Sequence, residues 1–291
     1  MQKLTADQIA SLNSPRGYLL NGKIVPTVTS NNLTVAIKTL AGADPSATDP
    51  VAIRIGDTIQ LITSALAKTI NAGTNWFNAG SAVLATKEID YFVYLGYNAT
   101  DGVTIGFSRI PFATSYDEFS VTTTSEKYCA ISTITNAAAT DFYENIGRFA
   151  ATLSAGAGYT WSVPTFTAKN LIQRPIFETR FLSIAGTLTA LSGTPTTTSY
   201  GAAYKIVGNT CYLSSSMSIT NKGTASGDIR IPVPFNSTLT AIGSARENAI
   251  AGIMGFLEID TGVAFAIIGS YANATMWVSG YGILSTVTYG I

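Results

Sequence analysis

The run from Ile89 to Phe107 constrains the fold more than any other part of this chain. Ile89, Tyr91, Val93, Leu95 and Tyr97 recur at every second position, and Asp101-Gly102 separates them from Val103-Thr104-Ile105-Gly106-Phe107. A period of two belongs to a strand, and Asp-Gly supports a tight reversal, so the segment reads as a β-hairpin. The same grammar returns where Ala203–Val207 and Cys211–Leu213 flank Gly208-Asn209. Further strands are read at residues 34–37, 51–55, 128–134, 229–235, 249–259, 263–271, 275–278 and 283–289, with glycine, asparagine and proline between them. Short strands at this spacing predict an all-β chain of two β-sandwich, jelly-roll-like domains. The 40 threonines fit strands better than helices. No repeat of 20–50 residues is visible.

Three segments are read differently. Ile59, Ile62, Leu66 and Ile70 have helical spacing in an Ile/Thr-rich stretch that equally suits strands. Asp141–Leu153 reads as a short helix or an irregular edge. Residues 249–269 form the most apolar stretch, but Glu258 and Asp260 lie in its middle, so it is expected to be a hairpin of buried strands and not a membrane span.

One helix is predicted, at the start. Thr5 and Gln8 form a capping box, Leu4 and Ile9 occupy the staple positions, and Asn13-Ser14-Pro15 ends the element. Two turns are too short to be stable alone, so this helix must dock on something. The expected organisation is an N-terminal tether helix over residues 1–16, a first β-rich domain over 17–168 and a C-terminal module over 176–291. The polar stretch Lys169–Pro175 connects the two domains.

Composition narrows the chemistry. There is no histidine, so neither Ser-His-Asp nor Cys-His catalysis nor a His-ligated zinc site is available. Two cysteines, Cys129 and Cys211, cannot make a four-thiolate cluster, and both are expected to be buried thiols. Lys+Arg and Asp+Glu both number 17, and charged residues make up only 12% of the chain. Without a basic stripe, nucleic acid is not an expected partner. The first residues carry no apolar signal run, so synthesis in a reducing cytosol is expected.

The remaining motifs are weak. Asp260-Thr261-Gly262 matches the aspartic protease triplet, but Asp and Gly also suit a plain hairpin turn, and that reading is preferred. Glu258 with Asp260, Asp117 with Glu118, and Asp141 with Glu144 are the acidic pairs a histidine-free glycosidase would need, although charges in loops and at strand ends explain them as well. No glycine-rich phosphate loop is present. The expectation is a non-enzyme with no cofactor and no metal. Tyr271, Asn273, Trp277 and Tyr281 cluster near the C-terminus, where aromatic faces beside amides suit a sugar, and they are the candidate receptor-binding residues. The competing reading makes Trp277 a core or intersubunit residue, alternating with Ser279 and Tyr281 along one strand face.

Several segments resemble a known family. Tyr204-Lys205-Ile206-Val207-Gly208-Asn209-Thr210-Cys211-Tyr212-Leu213 is similar to the opening hairpin of C-terminal modules in bacteriophage tail fibres and related virion proteins. Ile229-Arg230-Ile231-Pro232-Val233-Pro234-Phe235 resembles a recurrent strand of those modules, and Trp277-Val278-Ser279-Gly280-Tyr281 resembles their closing strand. Cys211 departs from the pattern, which more often has valine there. Asn75-Trp76-Phe77 and Tyr159-Thr160-Trp161 look like parts of other domains in the same proteins. The resemblance implies a homotrimeric virion protein, a tail fibre or receptor-binding protein. It would attach to other virion proteins through its N-terminus and contact a host-surface glycan or protein. A capsid- or tail-associated decoration protein is the alternative it allows.

Overall fold

The computed structural model describes residues 17–72, 87–109, 111, 141–154, 160–167, 178–184, 186–271 and 275–291. The tether helix expected at residues 1–16, the strand expected at 128–134, the 169–175 connector and Cys129 lie outside the described residues. Among the described residues the protein is all-β, with antiparallel pairing between all its strands and no helix. The described residues up to 167, other than Lys87, form one compact unit, and Glu178–Ile291 form another.

The first unit contains β1 (Leu19–Leu20), β2 (Gly22–Thr29), β3 (Asn32–Thr39), β4 (Val51–Ile55), β5 (Thr58–Ile62), β6 (Leu66–Ile70), β7 (Glu88–Asn98), β8 (Gly102–Ser108), β9 (Tyr143–Thr152) and β10 (Phe166–Thr167). They make sheets of order β1-β4-β5, β2-β3-β6 and β10-β9-β7-β8. Local chemistry explains the reversals. Ser30 and Asn31 join β2 to β3 with φ of 49° and 65°, the paired positive angles of a tight hairpin turn. Gly102, at φ 70°, turns β7 into β8 as the Asp-Gly signal requires. The ambiguous stretch 59–70 resolves into two strands in different sheets, β5 on β4 and β6 on β3.

Asp141–Leu153 is neither a helix nor an edge. Most of it is β9, hydrogen-bonded to β7 on one side and β10 on the other. Its polar residues disguise it. Glu144 accepts the Gly56 N–H at 3.1 Å, the Asn145 amide donates to the Pro111 carbonyl at 3.1 Å, and Arg148 pairs with Asp90 at 3.3 Å. Polar groups inside a protein are tolerated when they are bonded in this way. A bulge at Ile146 also breaks the two-residue alternation, because Val93 faces Gly147 while Tyr94 faces Asn145. Residues 89–96 of β7 are buried on both faces, not one. Tyr91 anchors this core, with the Phe149 ring at 5.4 Å and the Trp161 ring at 5.3 Å.

The second unit contains β11 (Leu182–Ile184), β12 (Thr189–Ser192), β13 (Thr197–Val207), β14 (Thr210–Asn221), β15 (Ser226–Pro232), β16 (Ala241–Glu247), β17 (Met254–Ile259), β18 (Phe265–Ser270) and β19 (Tyr281–Gly290). These form one sheet of order β11-β13-β14-β19-β16-β17-β18-β15-β12. Strict alternation on β14 buries Cys211, Leu213, Ser215, Met217 and Ile219, and β19 buries every second residue from Tyr281 to Tyr289. The inward hydroxyls of Ser215 and Ser285 bond each other at 2.6 Å. The sheet curls over this buried face. Tyr200 of β13 donates to the Pro232 carbonyl at the end of β15, at 3.1 Å, although five strands separate the two in the sheet. Burial also pushes the Tyr200 hydroxyl pKa well above its ordinary value. The apolar stretch 249–269 does contain two hairpin-paired strands, β17 and β18, but 249–253 is a loop ahead of them. No strand forms at 275–278.

Candidate functional site

The four candidate receptor residues have different fates. Tyr271 follows β18 and is 67% exposed. Asn273 lies outside the described residues. Trp277 is 1% exposed and Tyr281 is 7% exposed, so neither offers a ring face to a ligand in this unit. For Trp277 and Tyr281 the structure therefore corrects the sugar-stacking expectation. Trp277 is a core residue, as the competing reading held, but not by strand alternation. It precedes β19 in a loop, where its indole N–H donates to the Asp228 carbonyl at 3.2 Å and its backbone N–H to Thr275 Oγ1 at 3.2 Å. Residues 279–280 form a turn, and β19 starts only at Tyr281.

The loop pinned by Trp277 borders a surface depression of about 310 Å³, the low end of the size range of small-ligand sites. Three strands and this loop build it. β15 contributes Gly227 and Asp228, β17 contributes Phe256, and β18 contributes Gly269 and Ser270. Ile268 and Met276, 0% and 2% exposed, lie at its base, and Thr275 completes the rim. The Phe256 ring can lie across β18 only because residue 269 is glycine: a Cβ there would come within 2.5 Å of the ring. Tyr271 packs against that ring, with centroids 5.6 Å apart and planes tilted by 50°. Sequence reading found Tyr271 but missed Asp228, Phe256, Ser270 and Thr275. No local signal marks them, because they converge through the pairing of β15, β17 and β18.

A second depression, of about 340 Å³, lies in the first unit near Asp57, Tyr97, Asp141 and Phe142. Its one amide side chain is already committed. Asn98 Oδ1 accepts the N–H groups of Thr100 and Asp101 at 2.9 and 2.7 Å, and its amide donates to Asp101 at 3.1 Å.

Among the described residues, the members of the acidic pairs sit in different settings. β17 ends at Ile259, so Glu258 sits on a strand while Asp260 enters the following turn. Asp260-Thr261-Gly262 is that turn, with Gly262 at φ 78° and its N–H donating to the Ser237 carbonyl at 2.9 Å. Glu144 is buried and bonded to Gly56. Asp117 and Glu118 lie outside the described residues. Among the described residues no group of three His, Cys, Asp or Glu side chains is placed to hold a metal ion. Cys211 is a buried thiol. Also among the described residues, no helix is long and apolar enough to cross a membrane.

Comparison with known protein families, curated proteins and solved structures finds no match to this chain.

Proposed function

We propose that this chain is a bacteriophage virion protein, a tail fibre or receptor-binding protein that attaches the particle to the host surface. In this reading both units are β-sandwich domains of the jelly-roll kind, three copies associate, and the N-terminal segment holds other virion proteins. The hairpin, proline strand and closing segment quoted above are the sequence support.

The structural observation that carries the reading is the outer face of the second unit's sheet. One row across it runs Ala203, Ser214, Thr286, Ser244, and the next runs Gly201, Ser216, Leu284, Arg246. Leu284 is 49% exposed, and Ile242, further along β16, is 70% exposed. Solvent-facing sheet surfaces are normally kept soluble by interspersed charges. In these rows β13, β14 and β19 contribute small hydroxyls, alanine, glycine and Leu284, and the charges on this part of the face are Arg246 on β16 and Glu258 opposite Ile242 on β17. Such a face suits close approach of another copy, and the 12% charge content of the chain fits a surface shared in that way.

Light scattering of the purified chain tests the assembly: a mass of three chains is expected, and a stable monomer at micromolar concentration overturns it. Attachment is tested by labelling the protein and measuring its binding to bacteria and its competition with phage adsorption. Failure to bind any bacterium that a particle bearing the protein infects overturns the attachment role.

A further inference from the structure

We propose that the depression between β15, β17 and β18 is a binding site for a single neutral pyranose ring and that it discriminates against acidic sugars. The biological use of such a site rests on the attachment reading; its chemistry does not.

Three features carry the assignment. The first is an aromatic wall fixed in place. Phe256 lies over Gly269 and is backed by Tyr271, so its ring is pre-positioned, and an immobile ring loses little entropy when a sugar's C–H face packs on it. The second is the state of the polar groups. The Asp228 carbonyl is occupied by the Trp277 indole, which holds the start of β15 in place. Among the described residues its carboxylate has no hydrogen bond or ion pair, so both oxygens can accept from adjacent hydroxyls of a sugar. Thr275 Oγ1 already accepts the Trp277 N–H, which leaves its own proton to donate to a ring or hydroxyl oxygen. The third is charge. Among the described residues, Asp228 is the one ionisable residue lining the depression, and no lysine or arginine lines it. A carboxylate or phosphate on the ligand would face Asp228 with no cation to offset the repulsion. The volume of about 310 Å³ suits one sugar ring better than a chain.

The test uses the full chain and saturation-transfer NMR with methyl glycosides of glucose, galactose and mannose, against N-acetylneuraminic acid and glucuronic acid. At least one neutral glycoside is expected to bind and both acids to fail. D228N is expected to weaken the neutral ligand about tenfold or more, since a hydrogen bond to a charged group is lost. F256A should abolish binding, and the thermal melt of D228N, unchanged from that of the parent, separates loss of site from loss of fold. Preference for an acidic sugar, no response to any neutral glycoside, or neutral binding that D228N leaves unchanged overturns the proposal. Cell binding that survives D228N overturns the use of this site in attachment while leaving attachment intact. Glycoside binding by a protein that binds no bacterium supports the site and removes the attachment role.

Discussion

The carboxylate of Glu247 accepts the backbone N–H of Gly252, five residues further along the chain, at 2.8 Å. The N–H groups of Ala249, Ile250 and Ala251 complete the cradle at 2.6, 2.9 and 2.6 Å. One side chain thus satisfies four consecutive donors of the β16–β17 loop, whose residues 249–252 are apolar and exposed. Glu247 itself is fully enclosed. Burial pushes its pKa up, but the four donors outweigh that and bring it down to about 2, from an ordinary 4.5.

The sign of the pH dependence follows. The folded pKa lies below the unfolded one, so the stabilisation is fully present above about 4.5 and is lost as pH falls toward about 2. E247Q replaces one acceptor oxygen by an NH₂ group that faces two N–H donors. Calorimetry should show a lower melting temperature for E247Q at pH 7, and a melting temperature that falls less than that of the parent between these two pH values. Equal melting at pH 7 would show that the cradle contributes nothing.

Trp277 and Asp228 should be coupled through the indole hydrogen bond. W277F keeps most of the ring packing but leaves a carbonyl unpaired, for a loss of about 1–3 kcal/mol. W277A adds a cavity and should cost about 3–5 kcal/mol. Urea titration followed by tyrosine fluorescence measures both. The ordering fails if W277F is as damaging as W277A.

Two strand glycines should respond oppositely to alanine. A Cβ at Gly243 would lie 2.1 Å from the Thr286 carbonyl oxygen, so β16 and β19 must separate. A Cβ at Gly201 meets nothing within 4 Å. G243A should destabilise by about 1–3 kcal/mol or more, while G201A should be neutral or slightly stabilising. Thermal melts of the two variants side by side decide the matter.

In the first unit, Asp90 is 1% exposed and pairs with Arg148 at 3.3 Å. The Arg148 side chain is 17% exposed, so the charge that D90A leaves behind is partly solvated and the loss should be about 1–3 kcal/mol. Differential scanning calorimetry should register it as a lower transition for this unit. An unshifted transition would contradict the assignment of the pair as a stabilising contact.

Much of this protein was determined by its sequence alone, wherever the cause is local. Asp101-Gly102 and Gly208-Asn209 specify reversals because Gly102 and Gly208 adopt φ of 70° and 59° at no steric cost. The alternation of β14 and β19 specifies strands with one buried face, because successive side chains must point to opposite sides. The absence of histidine leaves this sequence no imidazole for Ser-His-Asp or Cys-His chemistry. What only the tertiary structure decided depends on partners distant in the chain. β9 looked irregular because Glu144, Asn145 and Arg148 are polar; Glu144 and Asn145 are buried with Gly56 and Pro111 as partners, and the half-buried Arg148 meets Asp90. In sequence Trp277 reads either as a sugar-stacking ring or as a core residue on a strand face; its burial follows from a loop anchored on Asp228, 49 residues earlier, while Tyr281 is buried by the alternation of β19. The depression itself belongs to no segment. Asp228, Phe256 and Ser270 become neighbours through the order β17-β18-β15, and strand order is set by which buried faces fit together, which no short window of sequence encodes.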